Sequence, residues 1–523
     1  MNETDDYIVV AHNLTSQKWL DSSIIYDFDE NTGQYFDRSI WWHTLQVFIP
    51  KKINPEFKNT AVMLIDGGSN KHDYSIRTEF GALEQLLASR VGMYGVPVAI
   101  LKNVPNEPIW FTDDNVRRSE DAIIAKTWNH FLTIDSETQE GNEWLLRFPM
   151  TKAAVKAMDA ITDICQQEKY KFGQDENLRK IKNFSVGGAS KRGWTTWMAA
   201  AVDRRVVTIW PMVLDLLNVN VQMHNIYQSL GGWTFAFKPY FDENITRFID
   251  SNEIELMSRQ VDPFYYRKRL TLPKLVISAS GDEFFLPDDS HQYFDDMPGK
   301  KYVMMNPDVE HGTVEAYSLA ILNSVLSMTW HEVNKIEAPE VSWSFGEING
   351  TETERQKGYV DLTILVRNED KENYSIENVH SWIADPKNIT EGRRDFRLAK
   401  ADPSYPLNSG QAIFQPVRWV RSKLTIRPKI TENFVKMNAD EEDDDQDDPQ
   451  LYTRYYYRVE ETFPDNADHF KAMFIKAVIT GPFIDNESNR RDIGFTITSE
   501  TNIFPDVYPF EDCTLEGCYG KLV

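Results

Sequence analysis

The sequence predicts an α/β fold with a mainly parallel sheet, followed by a β-rich C-terminal domain, and three observations predict it. From about residue 59 to 335, short β-branched runs alternate with longer stretches of helical periodicity, the mark of parallel strands joined by crossover helices. Beyond Val333 this gives way to short period-two runs separated by turn residues, as a β-sandwich requires. At 523 residues the chain is too long for one core, so more than one folding unit is expected.

In chain order, residues 1–58 read as an N-terminal extension carrying leading strands. The parallel sheet is expected from strands 61–66, 96–102, 183–187, 206–213, 274–279 and 301–305, each short, apolar and closed by turn-forming residues. Helices are expected over 119–132, 151–167, 190–202 and 313–333. Residues 216–270 interrupt the alternation with polar, aromatic-rich sequence that includes Trp233, Phe235, Phe237, Tyr240 and Phe241, and read as a helical cap insertion. The domain boundaries that follow are 1–58, 59–335 and 336–523. In the last, 341–345, 359–366, 412–416 and 470–479 are strand candidates, and the acidic run 440–448 repels itself into a solvated loop.

Eighty acidic against 56 basic residues give a formal net charge of -24, which repels phosphate backbones and argues against a nucleic-acid partner. No stretch is long and apolar enough for membrane insertion, because 197–217 is broken by Asp203, Arg204, Arg205 and Asp215. There is no zinc-spaced Cys/His cluster and no Walker-type loop, so neither metal nor cofactor is expected. Cys513 and Cys518 are spaced for a short-loop disulfide, which leaves Cys165 as a buried free thiol. Sequons at Asn2, Asn13, Asn183, Asn244, Asn349, Asn373, Asn388 and Asn486 suit a secreted glycoprotein. The opening Met-Asn-Glu-Thr-Asp-Asp has neither a basic nor an apolar region, so a secreted form would have lost its signal peptide.

The chemistry is carried by the segment from Asn183 to Trp194, which reads strand, glycine-flanked Ser190, helix. A nucleophile elbow has this order: a serine on a strained turn, with small residues allowing strand and helix to approach. Gly188 stands two places before the serine and Gly193 three after, giving G-x-S-x-x-G in place of the usual G-x-S-x-G. The new helix points its free amides at the reacting centre, so the N–H of Lys191 is one oxyanion donor. The second is expected at Gly68 or Ser69, in the turn after an earlier strand. A late strand ends in Gly281-Asp282-Glu283, and either acid could orient a histidine. Asp282 is preferred as the shorter side chain directly after the glycine, Glu283 is the alternative, and Asp215 at the end of the preceding strand is a third candidate. His311 follows the last parallel strand and completes the order Ser, Asp, His of the α/β-hydrolases.

With these residues in place the chain resembles the PhoPQ-activated pathogenicity-related family. The similarity runs through Trp41-Trp42-His43, Gly67-Gly68-Ser69-Asn70, Val104-Pro105-Asn106, the segment from Phe148 to Ala154, the elbow from Gly188 to Trp197, Asp215-Leu-Leu-Asn218 and the segment from Gly281 to Pro287, as far as His311. The resemblance implies an α/β-hydrolase domain similar to that of dipeptidyl-peptidase-like enzymes, with Ser190, Asp282 and His311 as triad. It also implies a substrate pocket lined by aromatics, including Trp194, Tyr227 and Trp233. The expected function is a secreted serine hydrolase acting on a small peptide or ester through an acyl-enzyme. The alternative is a secreted signal restraining proliferation, as in the family's amoebal member, with the fold as a scaffold for a cell-surface receptor.

Overall fold

The computed structural model of the chain describes residues 2–70, 82–134, 139–173, 176–351, 353–386, 392–406, 408–424, 431–435, 451–466, 468–484 and 490–523. The acidic run 440–448 and the sequons at Asn388 and Asn486 lie outside the described residues.

One sheet organises the molecule. Its first eight long strands stand in the order Tyr7–Lys18, Ile40–Pro50, Val98–Leu101, Thr60–Ile65, Asn183–Ala189, Val206–Met212, Lys274–Ala279 and Lys301–Asn306. From Val98–Leu101 onward neighbours run parallel, whereas Ile40–Pro50 is antiparallel to both of its neighbours. This is the α/β-hydrolase arrangement. Thr60–Ile65 and Lys274–Ala279 are buried at every position, which explains their unbroken apolar sequence: both faces of the sheet are covered. Alternate residues serve different cores. Met63, Ile65, Ala99 and Leu101 face helices Asp121–Thr133, Arg147–Gln166 and Lys191–Val202. Val62, Leu64, Val98 and Ile100 face helices Ala82–Tyr94 and Ser318–Asn334.

Two helices depart from their predicted starts. The helix expected from Thr151 begins at Arg147, whose guanidinium lies over the Trp194 ring at 4.1 Å. The helix expected from Thr313 begins at Ser318, because His311–Tyr317 forms a 3₁₀ turn closed by reciprocal side-chain bonds between Glu310 and Thr313.

The C-terminal region is β-rich but is not a separate body. The outer edge of Lys301–Asn306 pairs with Arg490–Thr498 through Val303 and Thr498, and the sheet continues into Lys471–Ile484, Ser375–Ala384 and Trp419–Lys423. A second sheet, in the order Glu340–Ile348, Lys357–Arg367, Leu451–Thr462 and Thr431–Val435, shares its apolar core. There Val360, Leu362 and Ile364 join Met473, Ile475 and Ala477. The expected sandwich is present, with one of its layers an extension of the hydrolase sheet. Leaving Lys301–Asn306 as an edge would expose a row of unpaired backbone groups, and the late strands cover it.

Residues 216–270 form helices Val219–Leu230, Lys238–Asp242 and Asn252–Val261 with 3₁₀ turns between them. The tail is fastened to this insertion. Trp233 N–H donates to the Lys521 carbonyl and Val523 N–H to the Trp233 carbonyl, each at 2.8 Å. Cys513 and Cys518 are joined as a disulfide with Cα atoms 4.9 Å apart. Cys165 is free, and burial pushes its thiol up to about 12. Among the described residues no helix is long and apolar enough to cross a membrane.

Candidate active site

Strand Asn183–Ala189 delivers Ser190 to the C-terminal edge of the sheet, between Thr60–Ile65 and Val206–Met212. Its backbone, φ 56° and ψ −127°, is one that L-residues avoid, and it turns the chain from strand into helix Lys191–Val202 within one residue. The turn is held by Ser190 N–H on the Met212 carbonyl at 2.8 Å and by Trp194 N–H on the Ser190 carbonyl at 3.1 Å. Gly188 is required for it: a Cβ there would lie 2.8 Å from both Cβ and the carbonyl oxygen of Arg192. At Gly193, the glycine one residue later than in the usual motif, a Cβ would lie 3.1 Å from the Gly188 carbonyl oxygen and from the Leu214 Cβ, so it too sits where strand and helix approach.

Ser190 and His311 line one cavity of about 640 Å³. Gly67, Gly68 and Lys191 line it as well. Among the described residues the N–H groups of Lys191 and Gly68 have no hydrogen-bond partner, which leaves both free to act on an oxyanion. The loop carrying Gly68 is held from beneath by Asn103, whose amide donates to the Gly68 carbonyl at 3.1 Å and the Ser69 carbonyl at 3.2 Å. Ser69 itself does not line the cavity.

The three candidate acids occupy different places. Asp282 is buried and takes the His311 Nδ1 on both carboxylate oxygens, at 2.9 and 3.0 Å, while Phe284 N–H donates to its Oδ1 at 2.8 Å. Glu283 accepts from the backbone N–H of His311 at 3.0 Å and does not reach the ring. Asp215 lies elsewhere, accepting from the Ser278 and Tyr293 hydroxyls at 2.5 Å each, and burial raises its pKa to about 6. Burial by itself would lower the pKa of His311, but the facing Asp282 carboxylate outweighs it and the net shift is upward. With Nδ1 committed to Asp282, Nε2 is left without a partner among the described residues. No hydrogen bond joins Ser190 to His311, a looseness common in unliganded hydrolytic sites.

The expected aromatic lining is not where the sequence suggested. Trp194 is fully buried in the helix–helix core, donating from Nε1 to the Val261 carbonyl at 2.6 Å. Trp233 donates to the Cys518 carbonyl at 2.9 Å, and Tyr227 stands edge-on to its ring at 5.1 Å, so both serve to seat the C-terminal tail. Burial in the helix–helix core accounts for Trp194, and burial against the tail for Tyr227 and Trp233.

Several residues of the site carried no sequence signal. Glu120 precedes helix Asp121–Thr133 with φ 54° and ψ −130°, nearly the backbone of Ser190. Its carboxylate grips both Arg192 guanidinium nitrogens at 2.7 Å and the Lys191 ammonium at 2.8 Å. Burial acts to raise the Glu120 pKa, but these cations bring it down to about 2. Arg192 Nε in turn donates to the Val104 carbonyl at 2.5 Å, so the first turn of the serine's helix is tied to the loops around it. Val213, with φ 42°, is a third cavity-lining residue in a disfavoured conformation.

The described residues contain one group spaced for a metal, His224, Asp512 and Cys513, and its cysteine sulfur is already in the disulfide. The arrangement at Ser190 is suited instead to nucleophilic attack assisted by an oriented imidazole.

Autocrine proliferation repressor protein A of Dictyostelium discoideum is 31% identical over 388 residues, 74% of this chain and 69% of that protein. Among solved structures, acetyl xylan esterase 1 from Thermoanaerobacterium sp. JW/SL YS485 matches 61% of this chain and 87% of its own, with 14% identity and a TM-score of 0.38. Pyrococcus horikoshii acylaminoacyl peptidase matches 61% of this chain and 43% of its own, with 12% identity and a TM-score of 0.37. The model of the PhoPQ-activated pathogenicity-related proteins matches residues 1–397, and the chain belongs to that family.

Proposed function

We propose that the chain is a secreted serine hydrolase that cleaves a small ester or peptide through an acyl-enzyme. The observation that carries this is the pairing of His311 Nδ1 with Asp282 in a cavity that also holds Ser190 on its strained turn. Ser190 Oγ bonds to the acyl carbon while its proton moves to His311 Nε2, and the oxyanion is held by the N–H groups of Lys191 and Gly68. The bond to the leaving group then breaks, and the leaving atom takes the proton from His311. Water repeats the sequence, giving one proton to His311 and hydroxide to the acyl carbon, and Ser190 recovers its proton as the acid departs. Asp282 keeps the imidazole in the required tautomer throughout.

A fluorophosphonate probe should label native protein at Ser190 and should label neither Ser190→Ala nor heat-denatured protein, with the site read by peptide mapping. Labelling at another residue would remove the assignment. The activity should also show an acidic limb. His311 must be neutral to accept the proton, and its pKa lies above the ordinary 6.5, so kcat/KM should rise with pH through a midpoint above 6.5. A midpoint below that value would contradict the Asp282–His311 pairing.

Secretion is supported by the Cys513–Cys518 disulfide and by exposed sequons at Asn13, Asn244 and Asn349. A second reading, an extracellular signal that restrains proliferation, is favoured by the similarity to the autocrine proliferation repressor of Dictyostelium. The two are separated by asking whether folded Ser190→Ala protein keeps its effect on cell number.

A further inference from the structure

The cavity continues past Ser190 between the sheet and helix Ser318–Asn334, and this part of its wall is apolar. Leu64 and Trp210 come from the sheet, Val213 from the strained residue after Val206–Met212, Val314 from the 3₁₀ turn that begins at His311, and Ile321 and Leu322 from the first turns of the helix. All six belong to the core on that face of the sheet, yet they border open space. The floor depends on the glycine pair before the serine. A Cβ at Gly187 would lie 2.1 Å from the Trp210 indole, so the indole rests flat on this glycine while Gly188 serves the elbow. Elsewhere in the lining Lys191 pairs with Glu120 and Asp121 at 2.8 and 3.0 Å and Arg192 with Glu120, and Asp66, Lys102 and the exposed Glu315 border the cavity as well. A ligand group placed against the six apolar residues meets apolar surface, and burial is what recognises it.

We infer that this arm receives the acyl side of the substrate, and that the preferred substrates are esters of medium-length, unbranched apolar acids. The inference rests on the hydrolase reading above. The arm's near wall comes from irregular backbone: Val213 has φ 42° directly after strand Val206–Met212, and Val314 lies on the 3₁₀ turn that precedes helix Ser318–Asn334.

The test compares the second-order rates at which methyl and octyl fluorophosphonates label Ser190 in the intact protein, since the phosphonyl substituent occupies the acyl position. Each fully buried methylene is worth about fourfold, and with about half of the added chain buried the octyl probe should react about a hundredfold faster. Filling the arm by Ile321→Trp, or separately by Val314→Phe, should reduce that ratio to below about tenfold. Equal rates for the two probes on the unaltered protein would overturn the inference while leaving the nucleophile in place, as would an unchanged ratio in both folded variants. Failure of both probes to label Ser190 would overturn the hydrolase reading and this inference together.

Discussion

Asp282→Asn is expected to lower kcat/KM by about 10³–10⁴-fold with the fold intact. The carboxylate meets the His311 Nδ1 at 2.9 and 3.0 Å, and it also accepts from Phe284 N–H at 2.8 Å and Phe285 N–H at 3.3 Å. An asparagine whose carbonyl oxygen keeps the backbone bonds can turn its amide toward the ring, and the imidazole must then carry its proton on Nε2, where it cannot accept one from serine. The same change removes the charge that raises the His311 pKa, so the acidic limb of the residual activity should move down. Glu283→Gln gives the contrast. Its side chain accepts from the backbone N–H of His311, a bond that glutamine can also accept, and the loss should stay within about tenfold. A larger loss at Glu283 than at Asp282, measured side by side on folded protein, would transfer the orienting role to Glu283.

Gly188→Ala should cost about a hundredfold in the rate of Ser190 labelling and about 2 kcal/mol or more of stability. The added Cβ would lie 2.8 Å from Cβ and from the carbonyl oxygen of Arg192, and 2.9 Å from its carbonyl carbon. Two of these atoms are backbone in the first turn of helix Lys191–Val202, so relief requires the helix to move away from the strand. That displaces Ser190 and the Lys191 N–H together, and it pulls Arg192 from Glu120 and from the Val104 carbonyl. Chemical denaturation and probe labelling read the two effects independently. Labelling at the unaltered rate would show that strand and helix have slack that the contacts do not suggest.

The parallel strands were legible because burial on both faces leaves no choice but continuous apolar sequence, and Lys274–Ala279 coincides with its predicted span. Ser190, Asp282 and His311 were marked by their places after strands, an arrangement written into local sequence. Other features depended on contacts that no local pattern records. Glu120 looks like a solvent-facing acid until Arg192 and Lys191, 72 and 71 residues later, close on it. Trp194, Tyr227 and Trp233 carry the composition of a pocket, but Val261, 67 positions from Trp194, and Cys518, 285 positions from Trp233, decide otherwise. The register of Arg490–Thr498 beside Lys301–Asn306 is a pairing across nearly 200 residues, and a strand's sequence does not name its neighbour.

That pairing has a consequence for the order in which the protein can be completed. As the chain emerges from the ribosome, all eight hydrolase strands and every candidate catalytic residue are made by residue 311, yet the strand that seals their sheet comes about 180 residues later. Until then Val303 lacks its neighbour, the Met305 N–H lacks the Thr498 hydroxyl that it meets at 3.0 Å, and Ser324 on the last helix has no Thr496 N–H to accept. The first part of the chain, with every candidate catalytic residue present, therefore waits with a sticky border, the state in which nascent sheets pair with the wrong chain. The β-rich region thus acts on its own molecule, as the late-arriving guard of the edge beside the candidate site.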